Sequence, residues 1–458
     1  MADDPRYARA VEIIRTLQRS GFQAFLAGGY VRNLILKRPP KDYDIATNAV
    51  PEVIERFFPR TIPVGRAFGV MIVLADGHEF EVATFRADGP YLDGRHPSRV
   101  TFSDYMTDVF RRDFTVNGML YDPVPDKIID LVGGRTDLEA RVIRAIGDPR
   151  LRFEEDRLRM LRAVRFACEL GFDIEPRTER EIRALAPRIV EISAERIRDE
   201  LRKILVSPLR HVGMDLLAEL GLLKHVLPEA AALRGVPQPP EFHPEGDVWT
   251  HTLIALKKLE NPTFEVALAT LLHDIGKPPT LQVADRIRFN QHEFVGGRMA
   301  AGVTRRLRCS REETERVTWI VEKHMMFKDV PKMKESTLKR FLSHPFYPDL
   351  EAVFRADKGA GDADPEIARF LDGKKAAYAN IPLRPEPFLR GSDLIALGWE
   401  PGPDFGRILR EAEDAQLDGR LTSREAALDW LRERIRTGAA AESEPPVAPA
   451  DEPGSGNG

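Results

Sequence analysis

The stretch GGYVRNLILKRPPKDYD, residues 28–44, decides how this chain is read. Before it, Phe22-Gln23-Ala24-Phe25-Leu26-Ala27 is an apolar run that reads as a short buried strand. Gly28 and Gly29 carry no Cβ, so the backbone there can turn tightly and approach a ligand. Val31 to Lys37 reads as a short helix with Arg32 in its first turn, stopped by Pro39-Pro40. A helix start offers free N–H groups and a positive dipole end, which suits a triphosphate. In Lys41-Asp42-Tyr43-Asp44-Ile45, strand alternation puts Asp42 and Asp44 on one face. Two neighbouring carboxylates repel each other unless a cation sits between them, and Mg2+ takes oxygen ligands of this kind. A pair of such ions can activate a hydroxyl and clamp a triphosphate for in-line displacement. A solvated turn is the other reading of an isolated Asp-x-Asp.

The combination Gly-Gly-x-Val-Arg followed by Asp-x-Asp resembles the head of the polymerase-β-type nucleotidyltransferases. It is similar above all to the tRNA nucleotidyltransferases (CCA-adding enzymes) of the bacterial and eukaryotic class and to the related bacterial poly(A) polymerases. The resemblance implies Asp42 and Asp44 as Mg2+ ligands, and Gly28, Gly29 and Arg32 around the triphosphate of ATP or CTP. The sequence departs from the commonest family pattern at Asn33, where aspartate is frequent, and at Gly118, where alanine is frequent.

The rest of the first 145 residues fits a small mixed sheet with helices. Residues 5–20 read as an amphipathic helix, and Val50–Phe58 as another with Pro51 in its first turn and Asn48 or Thr47 as cap. Strands are expected at Thr61–Gly65, Phe68–Leu74 and His78–Arg86, the last two joined by a hairpin at Asp76-Gly77. Glu79 and Glu81 share a face of the third strand. Glu81 is the candidate third carboxylate of a metal cage, an exposed strand glutamate being the alternative. Residues 87–103 are rich in turn signals and read as a long mobile loop, which in this family serves the switch from C to A. In RRDFTVNG, residues 111–118, two arginines offer fork-shaped phosphate donors, with a structural ion pair as the alternative. The run is similar to the family's second motif, which implies that Arg112 contacts the nucleotide. Asp130–Gly134 reads as the last strand and turn of the head.

Leu151–Leu170 reads as one helix, with an apolar face through Leu151, Leu158, Leu161, Val164 and Phe166. Asp156, Arg159, Arg162 and Arg165 recur every third residue along it. An exposed face of acid–base pairs is one reading. The run also resembles the family's nucleotide-selecting helix, which implies that Asp156 and Arg159 read the base and that Arg162 and Arg165 contact the nucleotide. A carboxylate and a guanidinium can imitate a base-pairing edge. Residues 141–210 hold 17 Lys/Arg against 13 Asp/Glu, opposite in sign to the whole-chain charge of −4, and this points to RNA along a helical neck. Further helices are expected at Thr178–Leu185, at Ser193–Val206 with Ser193 as cap, and at Leu209–Leu220.

Residues 234–245 are proline-rich and read as a linker. Beyond it come His251, the adjacent pair His273-Asp274 at the end of an apolar helix (Val266–Ile275), then His292, His324 and Asp357. Imidazole with carboxylate suits a transition metal. The order resembles the HD-domain phosphohydrolases, which implies a metal site at His251, His273, Asp274 and Asp357, with His292 and His324 as weaker members. Helices are expected near Gly391 and over Thr422–Thr437, and the Ala/Glu/Pro/Ser/Gly-rich end from 438 reads as disordered.

Composition is consistent with this. At 458 residues and 43% apolar, the chain can bury several cores. Its two cysteines, Cys168 and Cys309, show no metal spacing and fit a reducing cytoplasm. No signal peptide is expected, and no run approaches the ~18 apolar residues of a membrane span. The expected fold class is α+β: a nucleotidyltransferase head (1–145), an all-helical neck (146–233), a helical HD body with C-terminal helices (234–437) and a tail (438–458). The expected activity is addition of CCA, or of its terminal A, to tRNA from ATP and CTP. A poly(A) polymerase and a chain that is mainly an HD phosphohydrolase are the alternatives.

Overall fold

The computed structural model describes residues 4–89, 100–239, 246–358, 365–399 and 401–441. Helix α1 (Pro5–Arg19) is capped by Asp4, whose carboxylate accepts the Arg6 N–H at 2.9 Å. Strand β1 (Ala24–Ala27) is buried at every residue. Helix α2 (Gly29–Ile35) starts directly after Gly28, two residues earlier than expected. Strand β2 (Ile45–Thr47) begins after Asp44, so the aspartate pair precedes the strand instead of lying within it. Alternation still holds there: Tyr43 is buried while Asp42 and Asp44 are exposed.

Helix α3 (Pro51–Phe57) is capped by the backbone of Val50. The side chains expected to cap it work elsewhere. Thr47 Oγ1 accepts the Ala49 N–H at 3.1 Å, and Asn48 Oδ1 accepts the Gln23 N–H at 2.7 Å. Strands β3 (Thr61–Gly65), β4 (Val70–Ala75) and β5 (His78–Thr84) follow, and β4 and β5 form the expected hairpin. Asp76 (φ 49°) and Gly77 (φ 78°) at its tip are both left-handed. Strand β6 (Arg86–Asp88) pairs antiparallel with β7 (Val100–Phe102), so the ends of the expected 87–103 loop form a ribbon. Residues 90–99 of that expectation lie outside the described residues.

Helix α4 (Tyr105–Phe110), strands β8 (Leu120–Asp122) and β9 (Lys127–Ile129) and helix α5 (Gly134–Ala140) follow, and Val142–Ile143 pairs parallel with Asp173–Ile174, so the neck expected to be all-helical carries a two-residue strand. Asp130–Gly134 is not the last strand. The Asp130 carboxylate accepts the N–H groups of Val132, Gly134 and Arg135 at 3.1, 3.0 and 2.9 Å and so starts α5. The sheet runs β3-β4-β5-β2-β1-β8-β9. It is mixed, with β2 parallel to β5 and antiparallel to β1. Phe25, Ala27, Ala46, Phe85, Val109 and Leu120 form a core cluster on it.

The single helix expected over 151–170 is broken. Helix α6 (Pro149–Glu155) ends at Asp156, whose backbone is extended (φ −142°, ψ 104°), and α7 (Leu158–Leu170) follows. Asp156 Oδ1 accepts the Leu158 N–H at 3.1 Å, a local bond that competes with helix continuation. Helices α8 (Pro176–Leu185), α9 (Ala194–Leu205) and α10 (Arg210–Glu219) match expectation, although the Ser193 side chain makes no capping bond to α9. The first half of the expected linker is packed. Val236 and Gln238 are buried, and the Lys277 ammonium donates to Gln238 Oε1 at 2.6 Å. Residues 240–245 lie outside the described residues.

The body is helical, apart from a short antiparallel pair at Leu281–Val283 and Ile287–Phe289. The helix expected to run to Ile275 stops at Leu272, with His273 at its C-cap. The last helix, Arg424–Ala441, extends past the expected start of the tail at 438, and residues 442–458 lie outside the described residues. The chain forms two compact units, one of Met1–His324 with Ala352–Asp362, the other of Met325–Glu351 with Ala363–Gly458. A cluster through Leu389, Leu394, Ile408, Leu421 and Leu431 supplies a core of the second.

Candidate active site and metal centre

The two glycines turn the chain from β1 into α2. Gly28 sits at φ 63°, which a residue with a Cβ rarely adopts. A Cβ placed there would stand 3.4 Å from Arg112 Nη1, so Arg112 lies against the turn. Arg32, in the same helix, donates to Asn117 Oδ1 at 2.7 Å and to Asn33 Oδ1 at 3.2 and 3.3 Å. Arg111 and Arg112 are held by the buried Asp108, at 2.6 and 3.0 Å. Burial alone would push the Asp108 carboxyl up, but the two guanidinium groups outweigh it and hold it below the usual carboxylate range. The arginine run is thus both an ion pair and a set of donors beside the glycine turn.

Pairing of Ile45 with Val82 brings Asp44 beside Glu81 across β2 and β5. The Asp44 carboxyl is pushed up to about 6, first by protein crowded around it and then by Glu81 and Asp42. Its side chain remains reachable by solvent. Glu81 is likewise raised, by its surroundings and by Asp42. Asp42, Asp44 and Glu81 together are a donor set that fits a hard divalent cation. They are not gathered as tightly as the body's ligands described below.

Asp156 lies at the break between α6 and α7 and not on a continuous helix face. Arg196, from α9, donates to both its oxygens at 3.2 and 2.8 Å. Arg159 donates to Glu155 Oε2 at 2.6 Å and to the carbonyls of Arg152 and Arg111, both at 3.0 Å. Arg162 donates to Asp113 at 2.8 Å, and Arg165 to Glu200 at 2.6 Å. Sequence reasoning passed over Asn117, Asp108, Asp113 and Arg196. The first three lie in or beside the quoted arginine run. Arg196 is 40 residues from Asp156, and no local pattern connects them.

In the body, six side chains converge in two groups: His251, His273 and Asp357, and Asp274, His292 and His324. Within each group the ligand atoms lie within 4.8 Å of one another. Asp274 faces both, with Oδ2 at 3.1 Å from His273 Nε2 and Oδ1 at 3.4 Å from His292 Nε2 and 3.9 Å from His324 Nε2. The Nδ1 atoms of His273, His292 and His324 bond to the carbonyls of Thr270, Phe289 and Val321 at 2.7, 2.9 and 2.7 Å. Bonding Nδ1 to a carbonyl turns Nε2 toward the cluster, and although burial alone would lower it, Asp274 and Asp357 hold His273 up at about 9, so its Nε2 gives up a proton before taking a cation. His273 Nε2 and Asp274 Oδ2 are buried without a hydrogen bond, although the Lys277 ammonium lies 2.7 Å from that oxygen as an ion pair. Burial and the neighbouring histidines push His324 down to about 3, so its ring is neutral. These residues fit a transition metal, and the expected site is assembled here with all six members in the first unit.

Comparison with known proteins places the chain in a family. Residues 24–144 match the family described as Poly A polymerase head domain, residues 171–233 the probable RNA and SrmB-binding site of polymerase A, and residues 248–358 the HD domain. The chain is 45% identical to the CCA-adding enzyme of Geobacillus thermodenitrificans over 219 residues, which are 48% of this chain and 54% of that enzyme. That alignment therefore spans about half of the relative's length. The chain is also 31% identical to the CCA-adding enzyme of Streptococcus gordonii over 438 residues, 93% of this chain and 98% of that enzyme. The chain belongs to the CCA-adding enzyme family. Its fold is similar to the crystal structure of the Bacillus stearothermophilus CCA-adding enzyme in complex with CTP, with a TM-score of 0.73, 30% identity, and coverage of 96% of this chain and 100% of that one. Membership in the CCA-adding enzyme family accounts for the mixed sheet and the glycine turn. Among the described residues, no helix is long and apolar enough to cross a membrane.

Proposed function

We propose that this chain adds CCA to the 3′ ends of tRNA from CTP and ATP, without a nucleic-acid template, releasing pyrophosphate. The observation that carries the reading is the grouping of Asp42, Asp44 and Glu81, with the Asp44 and Glu81 carboxyls both raised, beside the glycine turn and Arg112. The RNA 3′-hydroxyl oxygen forms a bond to the α-phosphorus, and the bond from that phosphorus to the β-bridging oxygen breaks. Asp42, Asp44 and Glu81 would hold Mg2+, which when bound would neutralise charge on the triphosphate and make the attacking hydroxyl easier to deprotonate. Gly28 and Gly29 let the backbone approach the phosphates. Arg32, oriented by Asn117 and Asn33, and Arg112, oriented by Asp108, hold them. Asp156 accepts from the base's exocyclic amino group and Arg159 donates to its ring edge, with Arg162 and Arg165 beside the nucleotide.

The head is assigned to 1–145, the neck to 146–233, the body to 234–437 and the tail to 438–458. The chain acts in the cytoplasm. A second activity, hydrolysis of a phosphate ester at the body's histidine–aspartate cluster, is favoured by Asp274 facing both ligand groups.

A sequenced extension assay tests the main reading. The substrates are tRNA ending before CCA, tRNA ending in CC, and an unstructured RNA, each with ATP, CTP and Mg2+. Addition of CCA that then stops is the expected result. A single A on the CC substrate alone makes this an A-adding enzyme. A lengthening A tail on any RNA makes it a poly(A) polymerase, and no extension anywhere overturns the reading.

A further inference from the structure

We infer that Tyr7 and Tyr43 are positioning residues for nucleotidyl transfer, holding the Asp42–Asp44 segment in register with the Gly28-Gly29 turn. The inference rests on the reading of the head given above. The segment Lys41–Asp44 belongs to no helix or strand. Its backbone is held by the Ala27 N–H, which donates to the Asp44 carbonyl at 3.0 Å, and by Arg6 Nη1, which donates to the Lys41 carbonyl at 3.4 Å. Its anchor is the side chain between the two aspartates. Tyr43 is 5% exposed, and its hydroxyl donates to Asp4 Oδ2 at 2.9 Å. Arg6 in turn binds Asp4 at 2.9 Å and lies over the Tyr43 ring at 5.5 Å.

The glycine turn is tied to the same point. Tyr30 directly follows Gly29, is buried, and has its ring centroid 5.4 Å from that of Tyr43. Tyr7, from α1, stacks on Tyr30 at 6.1 Å with an interplanar angle of 9° and meets Tyr43 at 6.2 Å. Tyr121, on β8, closes the cluster at 6.0 Å from Tyr30. One aromatic cluster therefore touches the chain next to the phosphate turn and between the two metal-binding carboxylates. Relative placement of those two parts sets the in-line geometry, and a displacement of about 1 Å can cost about 100-fold in rate. Tyr7, Asp4 and Arg6 precede the residues matched to the head domain. No motif in the catalytic stretch points to them.

The test uses the full-length chain and tRNA ending before CCA, and measures kcat, the KM for CTP, the KM for tRNA, and the Mg2+ concentration for half-maximal rate. Tyr43→Phe loses one hydroxyl and keeps the ring. Tyr7→Ala opens the cluster, and Tyr7→Phe restores its packing. The expected result is a fall in kcat of about tenfold or more in Tyr7→Ala and Tyr43→Phe, with a raised Mg2+ requirement, an unchanged KM for tRNA, and recovery in Tyr7→Phe. Should Tyr7→Ala fail to fold, Tyr43→Phe decides. Wild-type kcat and Mg2+ requirement in the folded Tyr43→Phe chain overturn the inference. So does a loss of rate that only follows the loss of folded protein, with the Mg2+ requirement unmoved. Asp44→Asn is the control for the underlying reading: if it transfers as wild type does, both that reading and this inference fall.

Discussion

Asp44 carries an electrostatic statement that can be tested directly. Its folded pKa rises from 3.8 to about 6, so ionising it costs stability. That cost is absent below the unfolded value, grows between the two, and is complete above about 6. Asp44→Asn should therefore abolish transfer and yet, in EDTA at pH 7.5, melt at a higher temperature than the wild type. The gap should narrow as pH falls through 6, which calorimetry at several pH values checks. Protons and cations compete for the same carboxylate. Transfer at limiting Mg2+ should fall as pH drops through about 6, and excess Mg2+ should move that limb to lower pH. Gly118 makes a different point at the same scale. A Cβ there would stand 2.8 Å from Ile146 Cδ1 and 2.9 Å from Val132 Cγ2, so an alanine at this position would force its neighbours to shift. Gly118→Ala should cost about 1 kcal/mol, measured by denaturant unfolding, and Ile146→Val should recover part of it.

At the level of elements, the sequence disclosed periodicity well and interruptions poorly. Helix α1, the β4–β5 hairpin and α8 to α10 came from apolar spacing, turn residues and prolines, all local signals. The break at Asp156 did not, because the apolar spacing continues through it. It is made by a side chain that takes the Leu158 N–H and by an arginine from a distant helix. The same holds for Thr47 and Asn48, expected as caps and drawn away by Ala49 and Gln23. Arg196 is thus the partner of Asp156, the proposed base reader, that only the fold reveals. Arg196→Ala should free the Asp156 carboxylate, lower kcat/KM for both CTP and ATP by about tenfold, and raise incorporation of UTP or GTP in a sequenced extension.

At the scale of the whole molecule, the order of motifs made the mixed sheet, helical neck and helical body readable, while the division into units was not. The pairs that tie Asp357 to His251 and His273, at 2.7 and 3.6 Å, leave no trace in composition. The body's cluster makes its own prediction. Asp274→Ala should lower the transition metal retained after loading and dialysis, read by elemental analysis, while extension of tRNA proceeds at the wild-type rate. Chelation should lower the melting temperature of the wild type more than that of Asp274→Ala, since a bound ion stabilises only the folded state. The first unit is discontinuous, and this has a consequence during synthesis. Asp357 belongs to the same unit as His251 and His273, yet the ribosome makes residues 325–351 of the other unit before it. A nascent chain released at residue 324 would carry the whole head and neck and five of the six body ligands. The nucleotide site can therefore be complete while the polypeptide is still growing, whereas the second centre must wait for the return of a later segment.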